Sequence, residues 1–144
     1  MSYERSMVKR NLLITGSLGQ LGRDLISVLS GHHEITGIDI KELDICDGDR
    51  VAVFVKQIKP DIVIHTAAYT DVDGCEANRE TAMAVNARGT ENLARACAAF
   101  GARMIYYSTD YVFDGTKETS YVETDTPHPL TVYGQSKLEG ERWV

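Results

Sequence analysis

Tyr133 and Lys137 stand four residues apart in Tyr-Gly-Gln-Ser-Lys, and on a helix positions i and i+4 share one face. A free phenol has a pKa of about 10, too high to exchange protons readily at neutral pH. An ammonium beside it stabilises the phenolate and lowers that value. Such a pair could protonate a carbonyl oxygen as a hydride arrives, or deprotonate an alcohol in the reverse direction. Taken alone, a Tyr-x-x-x-Lys is more often two exposed residues on a helix. Ser108-Thr109-Asp110 follows an apolar run and offers hydroxyls at a strand end, where one could hold a carbonyl for Tyr133. The plainer role there is capping of backbone groups.

A second constellation lies near the start of the chain. Gly16-Ser-Leu-Gly19-Gln-Leu-Gly22 spells G-x-x-G-x-x-G directly after an apolar run and at the opening of a helical pattern. That context is the one a dinucleotide loop requires. Gly16 permits a tight turn, Gly19 lets backbone approach a pyrophosphate, and Gly22 lets helix pack on strand. Free N–H groups and the positive end of the helix dipole then face the phosphates. Asp39 follows Gly22 by 17 residues, near the spacing of a carboxylate that grips the adenosine ribose hydroxyls. A carboxylate there favours NADH over NADPH, and Lys41 beside it could soften that preference.

These residues need a scaffold. Residues 11–15 form a strand that stops at Gly16, and Leu18, Leu21, Leu25, Ile26, Val28 and Leu29 recur at helical spacing up to Gly31. Residues 34–39 read as a second strand, 47–59 as a helix stopped by Pro60, and 61–65 as a third strand. Residues 79–100 form the longest helical segment, closed by Gly101. Residues 104–108 read as a fourth strand, 109–132 as a long surface loop, and a final helix begins near Tyr133. Short apolar strands alternating with helices predict an α/β fold, a doubly wound parallel sheet with helices on both faces.

Composition sets outer limits. The 144 residues are 43% hydrophobic and 25% charged, with net charge −6, as expected for a globular domain that needs neither disulfides nor metal. The acidic balance argues against a nucleic-acid partner and against a polybasic membrane-surface role. No apolar run is long enough for a membrane span, and residues 1–10 carry Glu4, Arg5, Lys9 and Arg10 with no apolar core of a signal peptide. We read 1–10 as a flexible lead-in and 11–144 as an NAD(P)-binding domain, with a cytoplasmic setting. Cys46, Cys75 and Cys97 are odd in number and lack metal-ligand spacing, as do His32, His33, His65 and His128, so no metal site is expected.

Four blocks carry a family resemblance: residues 13–22 (LITGSLGQLG), 66–73 (TAAYTDVD), 107–115 (YSTDYVFDG) and 133–141 (YGQSKLEGE). Together the chain resembles the extended branch of the short-chain dehydrogenase/reductase superfamily, and within it the reductases of dTDP-4-keto sugars. The third block is the most discriminating, because related dehydratases and epimerases usually differ after the Ser/Thr. The resemblance implies a Rossmann-type fold and hydride transfer from NADH or NADPH to the 4-keto carbon of a dTDP-sugar, in rhamnose precursor synthesis. It implies that Tyr133 donates the proton, that Lys137 tunes it and binds the nicotinamide ribose, and that Thr109 orients the keto group beside Asp110. Gly19, Gln20 and Leu21 would line the pyrophosphate, and Asp44 and Ile45 would flank the adenine. Ala68, Tyr69, Thr70 and Tyr107 would line the cofactor cleft. The family is about twice this length, so the cofactor half is expected to be complete and the sugar half missing. The chain alone is then expected to be poorly active, with its end falling inside the Tyr133 helix. Two other readings stay open: a silent NAD(P)-binding regulatory subunit, as in the β subunit of methionine adenosyltransferase, and an epimerase or dehydratase of the same branch. A homodimer through the 79–100 and Tyr133 helices is also left open.

Overall fold

The computed structural model describes residues 8–144; most of the 1–10 lead-in lies outside the described residues. Four parallel strands, β1 (Asn11–Thr15), β2 (Glu34–Ile38), β3 (Ile62–His65) and β4 (Arg103–Tyr106), lie in the order β2-β1-β3-β4. The register pairs Thr15 with both Ile38 and His65, and His65 with Tyr106. The carboxyl ends of the strands are therefore level along one edge of the sheet. The direction of winding reverses between β1 and β3, and a crevice opens outside the strand ends at such a switch point.

Strand alternation explains the two-sided core. Leu13 and Val63 point to one face, where they meet Val51 and Val55 of α2 (Gly48–Ile58) and Leu93, Ala96 and Cys97 of α5 (Thr90–Phe100). Leu12, Ile14 and Ile64 point to the other face, against Leu25, Ile26 and Leu29 of α1 (Gln20–Leu29). The sheet is doubly wound, as the apolar strands require. Asp47 caps α2 by accepting from the Arg50 N–H at 3.0 Å. At the other end of α2, Lys59 turns left-handed (φ 49°) ahead of Pro60, where a proline cannot extend the helix.

Several elements differ from the sequence expectation. The segment read as one helix over 79–100 is composite: α4 (Arg79–Ala82), a π-helical stretch Met83–Gly89, then α5. A short helix, α3 (Val72–Ala77), precedes it, capped by Asp71 on the Gly74 N–H at 2.9 Å. Its six residues are too few to show a helical period, and its cap became legible only with the fold. The last helix, α6, runs Val132–Glu141 with Arg142 at its C-cap. The expected 109–132 loop holds a 3₁₀ turn, Asp110–Val112. The excursion beyond it is drawn around Asp114, whose carboxylate accepts from Thr116 N and Oγ1, from Tyr121 OH and from the His128 ring.

Candidate active site

The glycine loop behaves as its spacing demands. Gly16 has φ +69°, and a Cβ there would lie 2.7 Å from Ala67 N, so both conformation and space call for glycine. A Cβ on Gly22 would lie 2.2 Å from the Gly16 carbonyl oxygen, which is the close approach of α1 to the β1 turn. At Gly19 the same construction finds only the Gly16 oxygen, at 3.2 Å; its open side faces the crevice.

A cavity of about 420 Å³ fills that crevice, walled by Thr15, Gly16, Leu18, Gly19, Ile38 to Ile40, Leu43 to Ile45, Thr66 to Ala68 and Val85. Of the expected cofactor residues, Gly16, Gly19, Asp39, Asp44, Ile45 and Ala68 line it. Gln20, Leu21 and Gly22 form the first turn of α1 beside it, and Thr70 stands outside it, exposed. The Asp39 carboxylate accepts from the Leu18 N–H at 3.1 Å and from the Ile40 N–H at 2.9 Å, so it shapes the loop as well as the rim. A cradle that a Cβ would fill, backbone N–H groups at a helix start and a carboxylate at the second strand end fit a dinucleotide.

Tyr133 and Lys137 occupy the other end of the strand edge. Thr131 caps α6 by accepting from the Gly134 N–H at 3.0 Å, and Glu76 of α3 accepts from the Val132 N–H at 2.7 Å. Tyr133 is thereby fixed in the first turn of α6, half-buried beside Tyr69, Cys75 and Ala82 and edge-on to Tyr111 with ring centroids 5.6 Å apart. Burial raises its phenol pKa, and Thr109 beside it pulls the value partly back. Thr109 Oγ1 donates to Asp110 Oδ1 at 3.2 Å and accepts from the Tyr111 N–H at 3.2 Å.

The expected lowering of the phenol by Lys137 is not what the structure holds. Lys137 is buried, and its Nζ donates to the Tyr107 carbonyl at 2.6 Å and lies 4.2 Å from the Tyr106 ring centre. The ammonium is engaged by β4 and the residue after it, and the group that opposes burial at Tyr133 is Thr109. Burial in turn pushes Lys137 down to about 8, against an upward pull from Glu141. Tyr107 thus enters through its backbone oxygen, as the acceptor for Lys137.

Between the two ends runs a buried polar chain. Thr90 Oγ1 donates to the Asn86 carbonyl at 2.7 Å, so it receives the proton of His65 Nε2 at 3.1 Å. His65 Nδ1 must then accept from Thr15 Oγ1 at 2.7 Å. Burial pushes His65 down to about 3, with the Lys137 charge adding to the effect, which keeps the ring neutral in this tautomer. The Asn86 side chain accepts from the Tyr69 N–H at 2.8 Å and donates to the Tyr69 carbonyl at 3.0 Å and to Ser136 Oγ at 2.9 Å. Ser136 Oγ passes its own proton to the Tyr133 carbonyl at 2.7 Å. This chain ties the glycine-loop strand, the Ala68–Thr70 segment and α6 into one frame. No buried side-chain N or O among the described residues lacks a partner. The signal was a polar residue inside each apolar run, Thr15 and His65, which needed the register to be understood.

Among the described residues no helix is long and apolar enough to cross a membrane, and no three His, Cys, Asp or Glu side chains group to hold a metal ion.

Comparison with known proteins agrees with this geometry. A dTDP-4-dehydrorhamnose reductase of Aggregatibacter actinomycetemcomitans is 48% identical over 133 residues, covering 91% of this chain and 45% of that protein. The crystal structure of dTDP-4-dehydrorhamnose reductase from Bacillus anthracis in complex with NADP superposes with TM-score 0.92 at 43% identity, over 95% of this chain and 49% of that one. The Bordetella bronchiseptica enzyme WbmG, solved with NAD and UDP, superposes with TM-score 0.83 at 28% identity, over 94% of this chain and 49% of that one. The chain spans about half the length of these relatives. Residues 10–144 match the family described as RmlD substrate binding domain. With a Rossmann-type sheet, a glycine cradle at its switch point and a Tyr–Lys pair at the same edge, the chain belongs to the RmlD substrate-binding domain family.

Proposed function

We propose that residues 11–144 form the dinucleotide-binding and proton-donating part of a reductase acting on the 4-keto group of a dTDP-sugar. The observation that carries this reading is the shared edge. The 420 Å³ cavity under the glycine loop and the Thr109–Tyr133–Lys137 group stand at the carboxyl ends of one parallel sheet.

A bound NADH or NADPH would supply the hydride. The chain's residues do the rest. N–H groups of the glycine loop and the first turn of α1 hold the pyrophosphate, and Asp39 takes the adenosine ribose, which favours NADH. The same-fold relative solved with NADP makes the choice of dinucleotide a matter for measurement. Thr109 Oγ1 holds the keto oxygen, and Tyr133, kept protonated by burial, donates its phenolic proton to that oxygen. Lys137, held on the Tyr107 carbonyl and the Tyr106 ring, binds the nicotinamide ribose. Asp110, exposed beside Thr109, faces the sugar. The cytoplasm is the setting we assign, since the chemistry uses intracellular nucleotides.

Two experiments test this. Titrating NADH and NADPH into the chain while following nicotinamide fluorescence should give saturable binding that Gly19→Val abolishes. A chimera in which residues 10–144 replace the matching half of the Aggregatibacter relative should reduce dTDP-4-dehydrorhamnose. Tyr133→Phe in that chimera should cut turnover by about 10²-fold or more with dinucleotide affinity unchanged. Binding without turnover in the parent chimera would instead favour the silent regulatory reading.

A further inference from the structure

We propose that Glu141 is a positioning residue for Lys137, its carboxylate held by Ser108 as the counter-charge to the buried ammonium. The proposal rests on the reading of Lys137 as a dinucleotide-binding residue on the helix that carries Tyr133, and it adds a third residue on the same helix face.

Three observations carry it. The first is spacing: Tyr133, Lys137 and Glu141 fall at i, i+4 and i+8 of α6, successive positions down one face. The second is surroundings. Lys137 is only 4% exposed, and an ammonium removed from water needs an anion or a full set of acceptors. From β3 it is faced by His65, neutral, and from β4 by Tyr106, whose phenol is held protonated by burial. The Tyr107 carbonyl oxygen accepts from its Nζ, and Tyr133 and Glu141 stand one turn before and one turn after it on α6. Glu141 stands one turn along α6 from Lys137, and its charge opposes the downward push of burial without a direct ion pair.

The third observation is that the Glu141 carboxylate is held in the site by a residue of another segment. The nearby cation Arg142 pairs with Glu139 at 2.5 Å. Glu141 is held instead from β4's side of the site, its Oε1 accepting from the Ser108 hydroxyl. Ser108 immediately precedes Thr109, so one short segment orients Lys137 through Glu141 and Tyr107 and faces Tyr133 through Thr109.

The test uses the 144-residue chain with ¹³C,¹⁵N-labelled lysine, following the Lys137 side-chain resonance by NMR between about pH 6 and 11, assigned with Lys137→Arg. Glu141→Gln keeps an acceptor for Ser108 and removes the charge. The Lys137 midpoint should move to lower pH by about half a pH unit or more, with the midpoints of Lys9 and Lys56 unmoved. Ser108→Ala, which leaves the charge but frees it, should give a smaller move in the same direction. An unmoved Lys137 midpoint in a folded Glu141→Gln chain overturns the proposal. If that variant does not fold, an unmoved midpoint in Ser108→Ala does so. NADH titration of the parent chain decides the functional reading separately, since the Lys137 midpoint is read without cofactor.

Discussion

At the β1–α1 end of the strand edge the site wall is backbone: Gly16, Gly19 and Gly22, with α1 approaching so closely that a single added carbon would meet a carbonyl oxygen at 2.2 Å. At the β4–α6 end the wall is side chain: Lys137 buried on the Tyr106 ring, Tyr133 half-buried by Tyr111, and Asn86 and Ser136 bonded beneath them. The first end works by leaving groups out, so that N–H groups and a dipole can face phosphate. The second works by burying ionisable groups, so that their proton affinities depart from those in water. The two ends should therefore fail differently. Small additions of volume should destroy the first, and losses of single polar partners should loosen the second.

The largest effect is expected at the first end. Gly22→Val forces a branched side chain against the Gly16 carbonyl, with a cost at or beyond the roughly 1–3 kcal/mol of ordinary overpacking. Thermal melting by circular dichroism should show a transition that is lowered sharply or lost. Gly19→Ala, with its nearest contact at 3.2 Å, should melt close to the parent yet bind NADH poorly. Equal melting losses in the two variants would show that the loop is only a structural turn.

Next comes the polar chain between the ends. His65→Leu leaves the Thr15 and Thr90 hydroxyls without their partner, and each stranded buried group costs about 1–3 kcal/mol. Denaturant unfolding should show a stability loss of that order. The pH dependence is also fixed in sign. His65 has a folded-state pKa near 3, below its unfolded value of about 6.5. The unfolded chain therefore binds the extra proton, and stability falls as pH drops from about 6.5 toward 3. His65→Gln should start lower at pH 7 and show a flatter decline over that window. Parallel parent and variant curves would remove His65 from the account.

A smaller effect is expected at the start of α6. Glu76→Ala removes the acceptor of the Val132 N–H and should cost about 1 kcal/mol, as helix N-caps do. Glu76→Gln should recover most of it. The smallest effect is at Lys9–Glu34, a 3.0 Å pair with both side chains more than 60% exposed. Lys9→Ala should leave the melt within error.

The same contrast explains what could be read from the sequence. The glycine loop was legible because the demand for no side chain is written as residue type at fixed spacing. The strands were legible because burial on both faces makes them apolar throughout. The Tyr133–Lys137 spacing was legible for the same kind of reason, the geometry of one helix. The setting of Lys137 was not, because Tyr107 and Tyr106 reach it only through the packing of α6 against β4. The pairing of His65 with Thr90 was not legible, since 25 residues separate the two groups. The π-helical stretch was hidden because an Ala-rich run favours helix without fixing how many residues each turn takes.

That stretch, Met83–Gly89, has a consequence for insertions and deletions. A π turn inside an α-helix is what one extra residue produces. Within it the Asn86 carbonyl is released from the ordinary i+4 bond. The Thr90 N–H bonds Ala87 O while the Thr90 hydroxyl takes Asn86 O. The same carbonyl faces α6 where Gly140 has no side chain, 2.7 Å from where a Cβ would stand. Removing one residue from Met83–Gly89 would yield a more regular helix and turn Asn86 about 100° relative to Thr90. The helix would gain a hydrogen bond, and α6 would lose the carbonyl and amide on which it rests. For this segment, gaps in an alignment of relatives should be rarer than substitutions.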